Sequence, residues 1–555
     1  MYRLLTRGRR WWIPGLALAL VAGALSLWLS PLPGHLIRSR IESAAQHRGL
    51  QAQVTTVQTG LWPLLRLKHL DLNIRPGLRF HADSVSVTWP VGWRVAVQGA
   101  RLSGPEDLEL LSAASRWKVE GLLGGDLKLT LLDAGGGLTL LRQSAVTGDT
   151  WTLNARDLEL GSLLELRREG LPLLTGGRAA GELALETGPE LDLLRVDLGL
   201  RGTRLVSETG QPTDLALQFE GRRRKATGSL EIPGIRATAA GAALSGSLSV
   251  SDLDTDPQLD LTLGVTDLDF AQVLEVAGLA LPERLQPAAG RAPDLGIATI
   301  RVDVDGRLAE PTSLVVTQKI LFKPPRELPP ALTALRGDFH FRPSDGSGQN
   351  RSIHVSPESP DFIAIGEVPP LFLRALTLAE DTDFYGHRGI DLREMPAALA
   401  TNWSRGTAAR GGSTISQQLA KNLFLSRDKR VGRKLQELPI TFLLESTLGK
   451  QRILEIYLNI IEWGPDVRGL RPAARHYFGR EPAALTAAEM AFLVSIIPGP
   501  ILYQRSFADG TPGRGLRAMV NTLLAKLRSV DALSEEEYQQ ALADPLVIGE
   551  GSPAG

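Results

Sequence analysis

Glu380-Asp-Thr-Asp-Phe-Tyr-Gly-His-Arg-Gly389, then Arg410-Gly-Gly-Ser-Thr-Ile-Ser-Gln-Gln-Leu-Ala-Lys-Asn422, then Arg433-Lys-Leu-Gln-Glu437 decide how the carboxy-terminal part of this chain is read. Glu380 closes a run, 371–380, whose apolar residues recur three or four apart, the spacing of one helix face. Thr414 with Gln417 three residues later is a capping box and predicts a helix start. On that helix Thr414, Gln417 and Lys421 share one face, and Ile415, Leu419 and Leu423 share another. The three pieces thus place two carboxylates, Glu380 and Glu437, at the ends of a helical stretch rich in cations.

Outward from this stretch, the same spacing recurs at 433–448, 451–461, 487–496 and 516–527. Further capping boxes stand at Thr486 with Glu489 and at Ser534 with Glu537. The carboxy-terminal half is therefore expected to be mostly α. Upstream, Lys323-Pro-Pro-Arg-Glu-Leu-Pro-Pro330 and a Ser, Gly, Pro and Asn-rich stretch at 342–360 mark a boundary. Before it the period falls to two: Leu70, Leu72, Ile74; Val85, Val87, Trp89; Leu127, Leu129, Leu131; Val196, Leu198, Leu200; Leu215, Leu217, Phe219; Leu259, Leu261, Leu263, Val265; Ile300, Val302, Val304. Alternation interrupted by Gly, Pro and Asp turns predicts half-buried antiparallel strands, so 50–320 reads as all-β.

At the amino terminus Arg3, Arg7, Arg9 and Arg10 precede an apolar run from Trp11 to Leu29 closed by Pro31, long enough to cross a bilayer. Arginines before the run place the first residues in the cytoplasm and the rest outside the inner membrane. Ala22-Gly-Ala24 fits a signal-peptidase site, but apolar residues continue through Leu29, as in a retained anchor. A short helix follows at 35–45. The expected organisation is a cytoplasmic tail at 1–10, an anchor at 11–31, a β-rich region at 32–320, a linker at 321–354, a helical domain at 355–545 and a tail at 546–555.

The 555 residues carry 61 basic and 61 acidic side chains and no cysteine. A zero net charge argues against a general polyanion binder such as a nucleic-acid protein. The lack of cysteine removes disulfides, thiolate metal sites and cysteine nucleophiles.

Joining a sugar hydroxyl to an activated anomeric carbon needs a base and stabilisation of the leaving group. A carboxylate near apolar neighbours has its pKa raised toward that of a base, and Glu380, closing an apolar helix beside Phe384 and Tyr385, fits. Taken alone, it also reads as a solvated helix-end glutamate. A diphosphate leaving group calls for cations and amide donors. Gly411 and Gly412 before Ser413 and Thr414 are expected to let the helix start aim free N–H groups at an anion. Lys421, Lys429, Arg430, Arg433 and Lys434 supply charge; the plain alternatives are a solvated basic run and a helical ion pair between Arg433 and Glu437.

These residues fall in motifs that resemble the peptidoglycan glycosyltransferases, glycosyltransferase family 51, found in class A penicillin-binding proteins and in monofunctional transglycosylases. Glu-Asp-x-x-Phe-x-x-His-x-Gly appears as Glu380, Asp381, Phe384, His387 and Gly389; Gly-Gly-Ser-Thr-x-x-Gln-Gln-Leu-x-Lys-Asn runs from Gly411 to Asn422; Arg-Lys-x-x-Glu is Arg433, Lys434 and Glu437. A fourth, Lys450 with Ile453, Leu454, Glu455, Tyr457, Leu458 and Asn459, is expected to be helical core, and a fifth spans Ala473-Ala-Arg-His-Tyr-Phe-Gly479 and Leu485-Thr-Ala-Ala-Glu489. The resemblance covers about 355–545 and implies a mostly α, lysozyme-like domain that polymerises lipid II.

By that resemblance Glu380 is the base for the acceptor 4-hydroxyl, which displaces undecaprenyl diphosphate with inversion, and Glu437 is a second essential carboxylate. Lys421, Lys429 and Arg433 hold the diphosphate, and Lys434 is a further substrate-binding residue. Ser413, Thr414, Gln417, Gln418, Asn422, Phe384 and His387 complete the substrate cleft. No cofactor is obligatory; a divalent cation, Mg²⁺ or Mn²⁺, aids some members, with Asp381 the nearest ligand here. Lys429 stands where many members carry arginine, which loses a two-pronged grip on phosphate. Partners implied are lipid II, the undecaprenyl-diphosphate-linked glycan, the inner membrane, and other proteins of cell-wall biogenesis and cell shape. The catalytic domain is then periplasmic on a single-pass anchor. Met395-Pro-Ala-Ala-Leu-Ala-Thr-Asn-Trp403 is apolar enough either to touch membrane or to pack inside. The anchor, the short helix and the strands around Gly60-Leu-Trp-Pro63 resemble the opening of AsmA-type envelope proteins, implying a lipid-facing apolar groove; the plainer reading of the β region is a spacer.

Ser115-Arg-Trp-Lys118 and Ser426-Arg-Asp-Lys429 match Ser-x-x-Lys, yet the Lys-Thr-Gly companion is missing, so no transpeptidase activity or β-lactam binding is expected. Asp252-Leu-Asp-Thr-Asp256 has Pro257 where a calcium loop needs glycine and reads as a turn. Asp381-Thr-Asp383 lacks a nucleotide-binding α/β setting. The rival readings are a lytic glycan-cleaving enzyme, against which the cation density argues, and a non-catalytic envelope lipid-binding or scaffold protein.

Overall fold

The computed structural model describes residues 34–46, most of 51–205 apart from short connecting stretches, 210–286, 293–343, 352–393, 413–425 and 431–549. They fall into two compact units. The first holds the described residues up to Leu268 with Glu275–Leu279 and Arg301–Leu314; the second holds Asp269–Leu274, Ala280–Ile300 and Val315 onward.

In the first unit a helix, α1 (Gly34–Gln46), precedes an antiparallel ladder in which β1 (Gln51–Thr59) pairs with β2 (Leu64–Arg75) and β2 with β3 (Leu78–Thr88). The ladder continues through Arg94–Gln98, Arg116–Gly121, Leu127–Leu131, Gly137–Ala145 and Gly148–Glu159, each antiparallel to the one before. Beyond it come Arg178–Thr187, Leu191–Leu205, Thr213–Arg224, Ser229–Ala239, Ala242–Ser251 and Gln258–Asp269 in the same manner. The alternating runs of the sequence fall on these strands, as a period of two requires, except that Ile300, Val302 and Val304 lie on a further strand, Ile297–Arg307, and Trp89 lies outside the described residues. Alternation also sets the core: Val54, Leu65, Leu67, Leu70, Leu72, Ala82, Val85, Val87 and Val95 all point to one side, where Ile41 of α1 packs on them. The Asp252 segment is a turn, with Thr255 N–H donating to the Asp252 carbonyl at 3.0 Å and Asp256 ion-paired to Arg307.

The second unit is mostly helical. Its longer helices are α2 (Pro370–Glu380), α3 (Ile415–Phe424), α4 (Val431–Thr447), α5 (Lys450–Ile460), α6 (Leu470–Phe478), α7 (Ala487–Ile496), α8 (Arg514–Ser529) and α9 (Glu535–Ala543). The three capping boxes exist as read, at Thr414, Thr486 and Ser534. Helix α7, apolar all round, is buried from Ala488 to Ile496 and packs against α2 and α8, as an unstriped helix must in a core. Helix α6 was not expected as a helix; Pro472 and two arginines obscure its apolar side, Leu470, Ala473, Ala474 and Tyr477.

The stretch expected as a linker, 321–354, is built into this unit in its described part. Leu332, Leu335 and Phe341 are buried, and Arg336 Nε donates to the Thr447 carbonyl at 3.2 Å. Its prolines break helix and strand without preventing packing. The expected anchor at 11–31, Gly411, Gly412, Lys429, Arg430 and Met395–Trp403 lie outside the described residues. Among the described residues no single helix is long and apolar enough to cross a membrane; the nearest case is the pair Ala487–Ile496 and Pro500–Ser506, bent by 118°.

Candidate active site

Helix α2 delivers Glu380 at its last residue, half-buried. The Gln418 amide of α3 donates to Glu380 Oε2 at 2.7 Å, and the Tyr457 hydroxyl of α5 donates to Gln418 Oε1 at 2.9 Å. Tyr457 is fully buried, and burial, with Glu380 and Asp381 adding, raises its phenol well above the ordinary range, so it remains a donor. The Gln418 amide is thereby oriented with nitrogen toward the carboxylate. Burial raises the pKa of Glu380; the Gln418 hydrogen bond and the Lys421 charge oppose this, and Asp381 adds to it.

Asp381 does a different job. Its Oδ1 lies 2.8 Å from His387 Nε2, and its Oδ2 accepts the Ile415 N–H at 2.9 Å. His387 Nδ1 in turn accepts the Gly389 N–H at 3.1 Å, which assigns the ring proton to Nε2. Thr414 Oγ1 bonds the Gly389 carbonyl and accepts the Gln417 N–H, while Gln417 Oε1 accepts the Thr414 N–H. The loop after Glu380 and the start of α3 are thus one buried hydrogen-bonded block. Gly389, at φ 102°, has no room for a side chain: a Cβ would stand 2.9 Å from Thr441 Cγ2.

This geometry bears on several of the expected site residues. At the start of α3 the Ile415 and Gln417 N–H groups are taken by Asp381 and Thr414. Thr414, Gln417, Phe384 and His387 are buried members of that block and its surroundings. Lys450 Nζ covers the Phe384 ring at 4.3 Å and pairs with Glu445 at 2.7 Å, and Ser416 bonds the same carboxylate. Asp381 has both oxygens committed inside the protein and does not fit the cation suggested for it. Among the described residues the cluster of three groups able to hold a metal is elsewhere, at His69, His81 and Asp83.

The polar face that does reach open space is one residue further round α3. A cavity of about 380 Å³ is lined by Gln418, Lys421 and Asn422, with Leu425, by Arg433 of α4, by Glu462 and Arg468, and by Ile497–Leu502 and Phe341. Burial, with Arg433 and Lys434 adding, lowers the pKa of Lys421 against the pull of Glu437 and Glu380. Arg433 Nε is buried without a hydrogen-bond partner among the described residues. Lys434 is spent differently, bridging Ser413 Oγ at 3.0 Å and the Glu437 carboxylate, which is itself buried.

Sequence reasoning placed Tyr457 in the core without its hold on Gln418, and missed Glu462, Arg468 and the Ile497–Leu502 segment. Pro498-Gly-Pro500 is a turn signal that marks the last of these; nothing local marks Arg468. Helix α5 also ties the entry of the domain: Asn459 exchanges two hydrogen bonds with the Ile363 backbone, both 2.9 Å, and Glu455 accepts the Ile365 N–H at 3.0 Å.

The Transglycosylase family matches residues 349–525. A biosynthetic peptidoglycan transglycosylase of Nitrobacter winogradskyi is 40% identical over 182 residues, 33% of this chain and 78% of the relative. One from Rhodopseudomonas palustris is 42% identical over 31% of this chain and 74% of the relative. The chain spans 66% of the length of a curated relative from Methylobacillus flagellatus, at 45% identity over 28% of this chain, and 53% of one from Nitrosomonas eutropha. A solved penicillin-binding protein 1A from Haemophilus influenzae aligns with 24% of this chain and 16% of its own, at 26% identity and TM-score 0.17, too slight a likeness to bear on the fold. With more than two thirds of two such relatives covered at 40% identity or above, the chain belongs to the biosynthetic peptidoglycan transglycosylase family.

Proposed function

We propose that the chain polymerises lipid II into glycan strands by inverting transfer of the growing chain from undecaprenyl diphosphate to the acceptor 4-hydroxyl. The observation that carries this is Glu380, half-buried and gripped by Gln418, whose next turn, Lys421, belongs to the wall of a cationic cavity. In the reaction Glu380 takes the hydroxyl proton, the oxygen attacks the anomeric carbon, and the diphosphate leaves with the bonding electrons. Lys421 and Arg433, with Lys429, hold the diphosphate charge. Lys434 acts on the site through Glu437 and Ser413. Gln418, Asn422 and Ser413 contact sugar, and no step runs through a metal.

The reading extends to topology. The segment 11–31 anchors the chain with 1–10 in the cytoplasm, residues 355–545 work in the periplasm, and the β region between them spaces the enzyme from the membrane. No transpeptidase step accompanies polymerisation. The test is purified full chain with lipid II: wild type yields glycan polymer, and Glu380→Gln, of matching volume, yields none while melting at a similar temperature. Polymer from Glu380→Gln at wild-type rate would overturn the assignment.

A further inference from the structure

The strand pair β2–β3 carries a pattern that glycan synthesis does not use. His69-Leu-Asp71 lies on one strand and His81-Ala-Asp83 on the other. Asp71 is the register partner of His81, and Leu70 of Ala82, which sets His69 across from Asp83. Leu70 and Ala82 are buried in the core, so the two histidines and two aspartates share the outer face, each imidazole opposite a carboxylate.

His81 Nδ1 lies 2.6 Å from Asp71 Oδ1, and its Nε2 lies 3.2 Å from Asp83 Oδ1. The His69 ring is 6.5 Å from the His81 ring, and one ligand atom from each of His69, His81 and Asp83 lies within 4.8 Å of the other two. An ordinary cross-strand ion pair accounts for His81 with its aspartates. It does not account for His69, which has no hydrogen-bond partner among the described residues and is held at φ 50°, a left-handed conformation that opposes its Cβ. Gly99, at φ 64°, leaves the space Asp83 occupies, since a Cβ there would stand 2.0 Å from Asp83 Oδ2.

We propose that His69, His81 and Asp83, with Asp71 behind His81, form a site for one divalent cation of the zinc class on the outer face of β2–β3. Asp71 accepting from Nδ1–H leaves Nε2 of His81 as the ligating atom, the carboxylate–imidazole–metal arrangement that fixes a ligand's tautomer. Two imidazoles and one carboxylate suit Zn²⁺, Ni²⁺ or Cu²⁺ better than Mg²⁺ or Ca²⁺, which take oxygen ligands. A tetrahedral ion with ligands at about 2.0–2.2 Å draws the three atoms to about 3.3 Å apart and leaves its fourth position to water. His69 and Asp83 are exposed and free to close that distance by side-chain rotation. The bound ion pins β2 to β3.

The experiment is titration of the full chain, purified without a polyhistidine tag, with Zn²⁺, and with Co²⁺ followed by its visible absorption. The expected result is one ion per chain at micromolar affinity, lost in His69→Ala and in His81→Ala. Asp71→Asn should bind about 10–100-fold more weakly, the usual effect of removing such a support. His340 and His354, stacked 4.4 Å apart across another hairpin, are the control, and His340→Ala should bind as wild type. Circular dichroism checks that each variant is folded. Absence of micromolar binding by wild type, binding unchanged in His69→Ala, or loss in His340→Ala would each overturn the proposal.

Discussion

Replacing Tyr457 with phenylalanine removes one oxygen and tests whether the core of α5 orients the proposed base. The ring is fully buried and phenylalanine fills the same space, so the perturbation is confined to the 2.9 Å bond to Gln418 Oε1. Without that donor the Gln418 amide loses its reason to present nitrogen rather than oxygen to Glu380. Losing a hydrogen bond of this kind costs about 1–2 kcal/mol, a five- to thirtyfold effect on an equilibrium. The sign with pH follows from the present charges. The Gln418 bond favours the ionised carboxylate, and burial already raises the Glu380 pKa, so its loss raises that pKa further. Polymerisation of lipid II by Tyr457→Phe, measured from acid to alkaline pH, should show the acid limb of kcat/KM moved to higher pH, with the deficit shrinking as pH rises. A merely structural tyrosine would give an equal loss at every pH together with a lower melting temperature. An unmoved acid limb would refute the orienting role.

In wild type the acid limb of the pH–rate profile should lie above the usual carboxylate range, because burial raises Glu380, and the alkaline limb below the usual lysine range, because burial lowers Lys421; pH–rate curves with Glu380→Asp and Lys421→Arg assign each limb. Asp381→Ala should lose about 2–6 kcal/mol of stability in urea titrations, since the Ile415 N–H and the His387 N–H are both left unpaired inside, about 1–3 kcal/mol each. Lys450→Met leaves Glu445, whose side chain is 8% exposed, as an uncompensated charge beside Ser416, and thermal melts should show a loss of about 3–5 kcal/mol.

The architecture was legible where periodicity is a direct image of burial. Leu215, Leu217 and Phe219 announce a strand because alternate residues of a strand face opposite ways, and Thr414 with Gln417 announces a helix start because side chain and backbone satisfy each other locally. Helix α6 was not legible, because its short apolar stripe is interrupted by Pro472 and by arginines that serve ion pairs with Glu367 and Glu481. Around Glu380, motif order named the segments that meet there but not the direction of each side chain. Thr414, Gln417 and Lys421 share a helix face in projection, yet Thr414 and Gln417 turn into the capping box, while Gln418 and Asn422 reach the cavity. Asp381 looked like a free carboxylate because its partners, His387 and the Ile415 N–H, are 6 and 34 residues away. Tyr457 contacts Gln418 across 39 residues, a distance at which no local pattern speaks.

The block joining Asp381, His387, Gly389 and Thr414 has a consequence for inhibition. It sets Glu380 and the first turn of α3 on shared supports, whereas Lys421 and Arg433 make no ion pair among the described residues. A ligand thus meets one wall already set and another whose partly buried cations have no ion-pair partner of their own among the described residues. On the proposed roles, compounds imitating the acceptor sugar gain most from rigidity and close shape against the first wall. On the proposed roles, compounds imitating the diphosphate gain most from negative charge placed against Lys421 and Arg433.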